Sequence, residues 1–489
     1  MIRRVLNKSI VYAMGDLVTK ATALFLLPLY TRLLSPEDYG IIAVVGAISS
    51  IALPIITLGA RGAIHRFYFK FRDDLARREF YGSLWLFLLF VPAVLLLFFD
   101  IVSAQVFKIR IFGVDYHPFI SLSLWTAYII LVTSTFLQLI LRASEKALYS
   151  SLLTFATFIP PTIFTILFII YWIEGAKGFL WGQILGSAIG GLFVAFVILK
   201  YIKLNFQFPH LHSALMYSAP LTGHFIVIWA LASSDRLILQ HFTSLAEVGV
   251  YSIGYSIGWV GIFIIQAGYN AILPYFGKRG VGVVIDDGMF VDTITYYIFA
   301  ATLIVLSVIL FASEIIGIMV DPAYRKAAEI VPWIALAAWF SSLYFLPAAT
   351  LTHIVGNTKW IAVGSLIACL VNIILNFIFV PIAGAIGAAI STAISYLCLL
   401  GFTFFIAHRK YKIHYDFLRL LKIIIAASGA FFISICVSSY GLWLNLTIKT
   451  IILLLIFPLI LIIIGFVTKD EKELILRNLK CGYRKCISW

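Results

Sequence analysis

Long apolar runs recur along this chain from near residue 9 to residue 467, separated by short polar turns. Most are about as long as the ~20 residues an α-helix needs to cross a bilayer core. Only α-helices satisfy their own backbone over such lengths in lipid, so the expected fold is an all-α, polytopic membrane helical bundle. Composition excludes the soluble alternative. Charged residues make up 12% of the chain and hydrophobic ones 62%. A soluble domain carries about 25% charged residues, and no single soluble core could absorb this many apolar runs.

Fourteen spans are expected, near residues 9–34, 41–66, 81–102, 118–142, 148–172, 178–202, 213–240, 249–275, 291–313, 328–353, 360–380, 383–406, 416–440 and 447–467. The formal net charge of +14 would suggest a nucleic-acid partner in a soluble protein. Here the basic residues sit mostly between apolar runs, which is a topology signal, and no nucleic-acid partner is expected. One side of the bundle holds Lys108, Arg110, Lys177, Arg325, Lys326 and Lys449. Most of the remaining Lys and Arg fall on the side of the termini, which places both termini in the cytoplasm. Residues 469–489 form a basic tail, with Leu474, Ile475 and Leu479 at the spacing of a surface amphipathic helix. The N-terminal run is read as an uncleaved first helix, because Asp16 and Lys20 interrupt it. Cys369, Cys398 and Cys436 lie in apolar runs and Cys481 and Cys486 in the tail, with no spacing that suggests a disulfide framework or a zinc site.

A short motif occurs twice. Residues 34–41 read Leu-Ser-Pro-Glu-Asp-Tyr-Gly-Ile, and residues 243–250 read Thr-Ser-Leu-Ala-Glu-Val-Gly-Val. Ser35 and Ser244, like Gly40 and Gly249, are 209 residues apart. Two copies separated by six spans point to parallel halves, a common transporter plan. The expected units are an N-terminal lobe (1–203), a C-terminal lobe (204–408), two accessory spans (409–468) and the tail (469–489). Gly182, Gly186 and Gly190 in span six, and Gly387 and Ser391 in span twelve, are expected to let helices approach closely.

Charges inside the spans carry the functional reading. Each costs about 2.5–3.5 kcal/mol at mid-bilayer and therefore needs a partner or a wet cavity. Asp16 and Lys20 share a face of span one and can pair. Thr57, Arg61 and His65 are spaced by four in span two, as one polar stripe. Arg66 lies close enough to the inner edge to snorkel. In span seven, His224 and Asp235 share a helix face. Asp235 and Arg236 diverge by about 100° and need not neutralise each other; they lie near the outer end of their span, where solvation is cheaper. A cavity lined by Lys20, Arg61, Arg236 and Arg66 would attract an anion such as a pyrophosphate. Asp16, Asp235 and His224 are candidates for proton or sodium coupling. No other cofactor and no metal is expected.

The segment Pro28-Leu29-Tyr30-Thr31-Arg32-Leu33-Leu34-Ser35-Pro36-Glu37-Asp38-Tyr39-Gly40 resembles the start of bacterial polysaccharide-biosynthesis proteins of the O-antigen flippase type. These belong to the multidrug/oligosaccharidyl-lipid/polysaccharide exporter superfamily. Leu58-Gly59-Ala60-Arg61 with Arg66-Phe67-Tyr68 resembles that family's second span, and Asp235-Arg236 with Val248-Gly249-Val250-Tyr251-Ser252 the start of its second half. The resemblance implies twelve core helices in two lobes plus two accessory helices, in a bacterial cytoplasmic membrane. It implies alternating access and a substrate carried on undecaprenyl pyrophosphate, such as an O-antigen or other surface-polysaccharide unit. Membrane lipid and other polysaccharide-assembly proteins would be its partners, and its basic cavity residues would serve the head group. A drug/cation antiporter of the same superfamily would prefer an acidic cavity. A membrane polymerase or glycosyltransferase would need a sizeable catalytic loop, and the chain is read as no enzyme. No G-x-x-x-x-G-K-[ST] occurs, so the chain holds no P-loop; Gly277-Lys278-Arg279 is read as only a basic loop.

Overall fold

The computed structural model describes residues 22, 24–71, 73–105, 109–283, 286–413, 415–437 and 441–466. Asp16, Lys20 and the tail lie outside the described residues. In chain order the helices are α1 (Leu24–Leu33), α2 (Pro36–Ile56), α3 (Ala63–Lys70), α4 (Asp74–Gln105), α5 (Tyr116–Ala143), α6 (Ala147–Trp172), α7 (Gly175–Ile198) and α8 (Phe208–Phe242). They continue as α9 (Leu245–Gly258), α10 (Ile262–Gly280), α11 (Asp287–Leu310), α12 (Ala312–Met319), α13 (Ala327–Ile354), α14 (Lys359–Lys410), α15 (Phe417–Val437) and α16 (Leu442–Ile463). A two-stranded hairpin, β1 (Arg110–Ile111) and β2 (Val114–Asp115), links α4 to α5.

Among the described residues, 12 helices are long and apolar enough to cross a membrane. The 52-residue α14 holds two expected spans, because it breaks at Gly384, where φ is 53°. The expected first span is described from α1 onward. The fold is therefore the polytopic helical bundle that the apolar runs predict. Large apolar side chains such as Phe193, Phe196 and Trp443 stand exposed on its flanks, as a lipid-facing surface requires.

Span two departs from expectation. It is not one helix over 41–66. Pro54 sits in the last turn of α2, and the chain then passes through two left-handed residues, Leu58 (φ 47°) and Gly59 (φ 62°). A 3-10 turn at Ala60–Gly62 leads into α3. Glycine adopts this conformation freely, whereas leucine does so at a strain cost of about 1–3 kcal/mol. Span eight is interrupted as well, between α9 and α10.

The repeat is present in three dimensions at the same offset of 209 residues. Ser35 caps α2 by accepting from the Asp38 amide at 3.1 Å, and Ser244 caps α9 by accepting from the Glu247 amide at 3.2 Å. The Asp38 carboxylate accepts from the Ala176 amide at 2.8 Å, and the Glu247 carboxylate accepts from the Ala385 amide at 2.8 Å. Each contact spans 138 residues of chain. The glycine preceding each amide has positive φ, 70° at Gly175 and 53° at Gly384.

Small residues let the helices meet at backbone distance. A Cβ on Gly182 would overlap Thr165, and one on Gly186 would overlap Pro161, so α7 lies directly on α6. Gly190 is less confined, with its nearest neighbour 3.7 Å away. Two charges expected near the membrane surface are buried. Lys449, read as an outer-side charge, lies inside α16 and pairs with Glu314 of α12. Arg419 of α15 pairs with Asp292 of α11 at 3.0 Å. Counting charges between apolar runs cannot anticipate this, because a helix partner several spans away determines it.

Candidate functional site

The break after α2 sets the 3-10 turn against the middle of α8. A Cβ on Gly59 would lie 3.1 Å from both the Ser218 carbonyl and the Thr222 hydroxyl, and one on Gly62 would lie 3.3 Å from Leu221. The guanidinium of Arg61 stands 5.0 Å from the ring centre of Phe225. That of Arg66 stands 4.2 Å from the ring centre of Tyr217. Arg61, His65, Arg66 and His224 are all exposed. Charge is costly in lipid, so exposed basic groups on a membrane bundle call for water beside this face of α3 and α8. Neither Arg61 nor Arg66 has an acidic partner among the described residues. Each is steadied by a ring, worth about 0.5–2 kcal/mol, while its hydrogen-bond donors stay available.

The expected stripe of Thr57, Arg61 and His65 does not form. Thr57 is buried at the end of α2 and donates to the Leu53 carbonyl at 2.7 Å. Arg61 and His65 lie beyond the left-handed residues, so four-residue spacing no longer means one face. Arg66, expected at the inner edge, is exposed and lies against the Tyr217 ring.

Asp235 and Arg236 form a separate cluster. Phe225 and Arg236 are eleven residues apart on α8, or about 16 Å at helical rise. Arg236 therefore does not join Arg61 and Arg66. Nor is the pair cheaply solvated near a helix end. Asp235 is 1% exposed. It also pairs with its neighbour, contrary to the divergence expected on a helix. The Arg236 Nη1 lies 3.2 Å from Asp235 Oδ1, which also accepts from the Arg236 amide at 2.8 Å. The arginine stem is long enough to curl back over the intervening angle. Tyr251 donates its hydroxyl to Asp235 Oδ2. Above Arg236 stands Tyr255, its ring centre 4.6 Å from the guanidinium, and Tyr255 stacks on Trp259 at 5.5 Å. His224 and Asp235 share a face in angle, but the face runs from an exposed to a buried zone.

Sequence reasoning missed the aromatic partners. The signal was present: Tyr251, Tyr255 and Trp259 recur every four residues. It also missed Asn372 and Asn376, which are fully buried in the first arm of α14. That arm runs beside α8: Leu231 and Ala368 share one core cluster, and the rings of Phe242 and Phe377 lie 5.8 Å apart. Asp235 and the two asparagines fall between these contacts. The Asn372 Nδ2 and Asn376 Oδ1 atoms have no partner among the described residues. Among the described residues, no group of His, Cys, Asp or Glu is arranged to hold a metal ion.

A family model described as "Polysaccharide biosynthesis protein" matches residues 5–279, more than half of the chain. The chain belongs to this family. A curated relative, "Lsg locus putative protein 1" of Haemophilus influenzae, is 24% identical over 280 residues. That match spans 56% of this chain and 66% of the relative. Among solved structures, "Lipid II flippase MurJ, inward closed conformation" superposes with a TM-score of 0.75 at 17% identity, over 92% of this chain and 98% of that one. An inward-facing multidrug resistance MATE family transporter of the MOP superfamily superposes with a TM-score of 0.59 at 16% identity, over 81% and 97% of the two chains. At such identities the likeness is one of fold. It supports a polytopic helical bundle for this family member, in a multi-pass membrane protein.

Proposed function

We propose that the protein is a flippase that carries an oligosaccharide linked to undecaprenyl pyrophosphate across the bacterial cytoplasmic membrane by alternating access. The observation that carries this reading is the pair Arg61 and Arg66, exposed on the wet face of α3 and α8 and lacking acidic partners among the described residues. Two guanidinium forks match the geometry of a pyrophosphate. Lys20 joins them as a head-group residue, and both termini lie in the cytoplasm. The unit carried is an O-antigen or other surface-polysaccharide repeat.

The apolar tail has a place as well. A cavity of about 390 Å³ lies between α11, α13 and α15, walled by Trp333, Trp339, Phe431 and Phe432. Its open, apolar walls suit a polyprenyl chain while the sugar crosses between the lobes. The basic face disfavours a cationic drug as substrate.

Coupling is assigned to Asp235, with Asp16 and His224 as accessory groups. Its carboxylate is buried and is held by Arg236 of α8 and Tyr251 of α9. Taking up a proton or a sodium ion there would exchange those partners and so alter the packing of α8 on α9.

The test is reconstitution with a short lipid-linked oligosaccharide, reading its appearance in the opposite leaflet. The Lys20→Ala/Arg61→Ala double variant should flip slowly. Normal flipping by that variant would reject the head-group assignment, and no flipping by the unaltered protein would reject the substrate.

A further inference from the structure

The two motifs related by 209 residues meet each other. A Cβ on Gly40 would overlap the carbonyl oxygen of Leu245, and a Cβ on Gly249 would overlap that of Pro36. Gly40 and Gly249 also face one another, with each Cβ position 3.2 and 3.0 Å from the other's amide nitrogen. The first turns of α2 and α9 thus cross in reciprocal backbone contact, about a pseudo-twofold axis. Nearby, Tyr324 donates to the Leu34 carbonyl at 2.8 Å, so the same end of the bundle is shut by a second contact between the halves. The basic face of α3 lies beyond the opposite end of α2.

Each turn is fixed within its own half. Asp38 is bound to the start of α7, and Glu247 to the start of the second arm of α14. A side chain at Gly175 or Gly384 would intrude on these carboxylates. The clamps thus join each half internally, while the seam between Gly40 and Gly249 is simple van der Waals contact. An interface of that kind closes tightly and parts without breaking a buried ion pair.

We propose that the Gly40–Gly249 seam is the outer gate of the transporter, and that Asp38 and Glu247 are positioning residues that make each gate strip move with its own lobe. The assignment of this end as outer rests on the flippase reading; the gating itself does not depend on the substrate.

The experiment uses the full chain with Cys369, Cys398, Cys436, Cys481 and Cys486 replaced, and one reporter, Gly223→Cys, on the exposed stretch of α8 beside the basic face. A membrane-impermeant maleimide is applied from either side of oriented vesicles. The parent should label from the cytoplasmic side. Gly249→Leu and Gly40→Leu should gain labelling from the outer side by roughly tenfold, a shift of the resting population. Gly40→Ala and Gly249→Ala serve where leucine prevents folding, since alanine favours helix yet still strikes a backbone carbonyl. Unchanged one-sided labelling in folded alanine variants would overturn the gate. Altered labelling with no flipping of lipid-linked oligosaccharide by the parent would overturn the substrate and leave the gate standing.

Discussion

Lys449 donates to both carboxylate oxygens of Glu314, at 2.7 and 2.8 Å, with both side chains almost wholly buried. The pair fastens α16 to α12. At the other end of the accessory hairpin, Arg419 holds Asp292 at 3.0 Å, so α15 is fastened to α11. The two accessory spans are thereby tied to the second half at both ends.

Breaking one of these ties should be costly. Lys449→Met leaves Glu314 charged and buried without its partner, a loss of about 3–5 kcal/mol. The double variant Glu314→Leu/Lys449→Met removes both charges and should recover most of that loss. Thermal unfolding of the purified protein checks this, and equal destabilisation by the single and double variants would contradict it.

Arg61→Ala and Arg66→Ala should each lower the flipping rate about ten- to a hundredfold, as expected for losing a charge-assisted bond of about 1.5–3 kcal/mol to the head group. Thermal stability should change little, because both side chains are exposed. Arg61→Lys keeps the charge but loses the fork, so it should restore only part of the rate. Flipping assays paired with melting curves separate a binding loss from a folding loss.

How far these features were legible in the sequence depends on where their causes lie. The capping serines and the two glycines are local requirements, so the 209-residue repeat could be read directly, and the apolar runs likewise reveal the bundle. The break at Leu58-Gly59 was hidden, because leucine rarely adopts a left-handed conformation and Pro54 alone does not dictate one. The pairing of Asp235 with Arg236 depends on the long arginine stem and on burial supplied by α9 and α14. Helix angles alone therefore separated two groups that the tertiary structure joins. Lys449 was misplaced for a similar reason: at the very start of the last expected span, it looks like an outer-side charge until Glu314 is brought beside it.

Asp235→Asn should weaken the protein by about 3 kcal/mol or more, since Arg236 would lose its buried counter-charge. Asp235→Asn/Arg236→Gln should be less harmful than the single change. If Asp235 couples transport to an ion, the double variant should flip at a rate that no longer responds to pH or sodium. A response matching that of the unaltered protein would remove Asp235 from the coupling scheme. Tyr251→Phe tests the same network more gently, at a cost of about 1–3 kcal/mol for a hydrogen bond to a charged group.

The glycines of α7 provide an internal control on packing. Gly186 faces the backbone of Pro161, which cannot move aside as a side-chain tip could, whereas the nearest atom to a Cβ at Gly190 is 3.7 Å away. Gly186→Ala should therefore separate α7 from α6 and destabilise by about 1–3 kcal/mol, the usual range for overpacking. Gly190→Ala meets no obstacle and gains helix propensity of up to about 1 kcal/mol, so its melting temperature should hold or rise. The two positions are one helical turn apart and carry the same substitution, so helix propensity cannot account for opposite signs. Equal shifts in the two melting curves would show that close approach to α6 is not what Gly186 supplies.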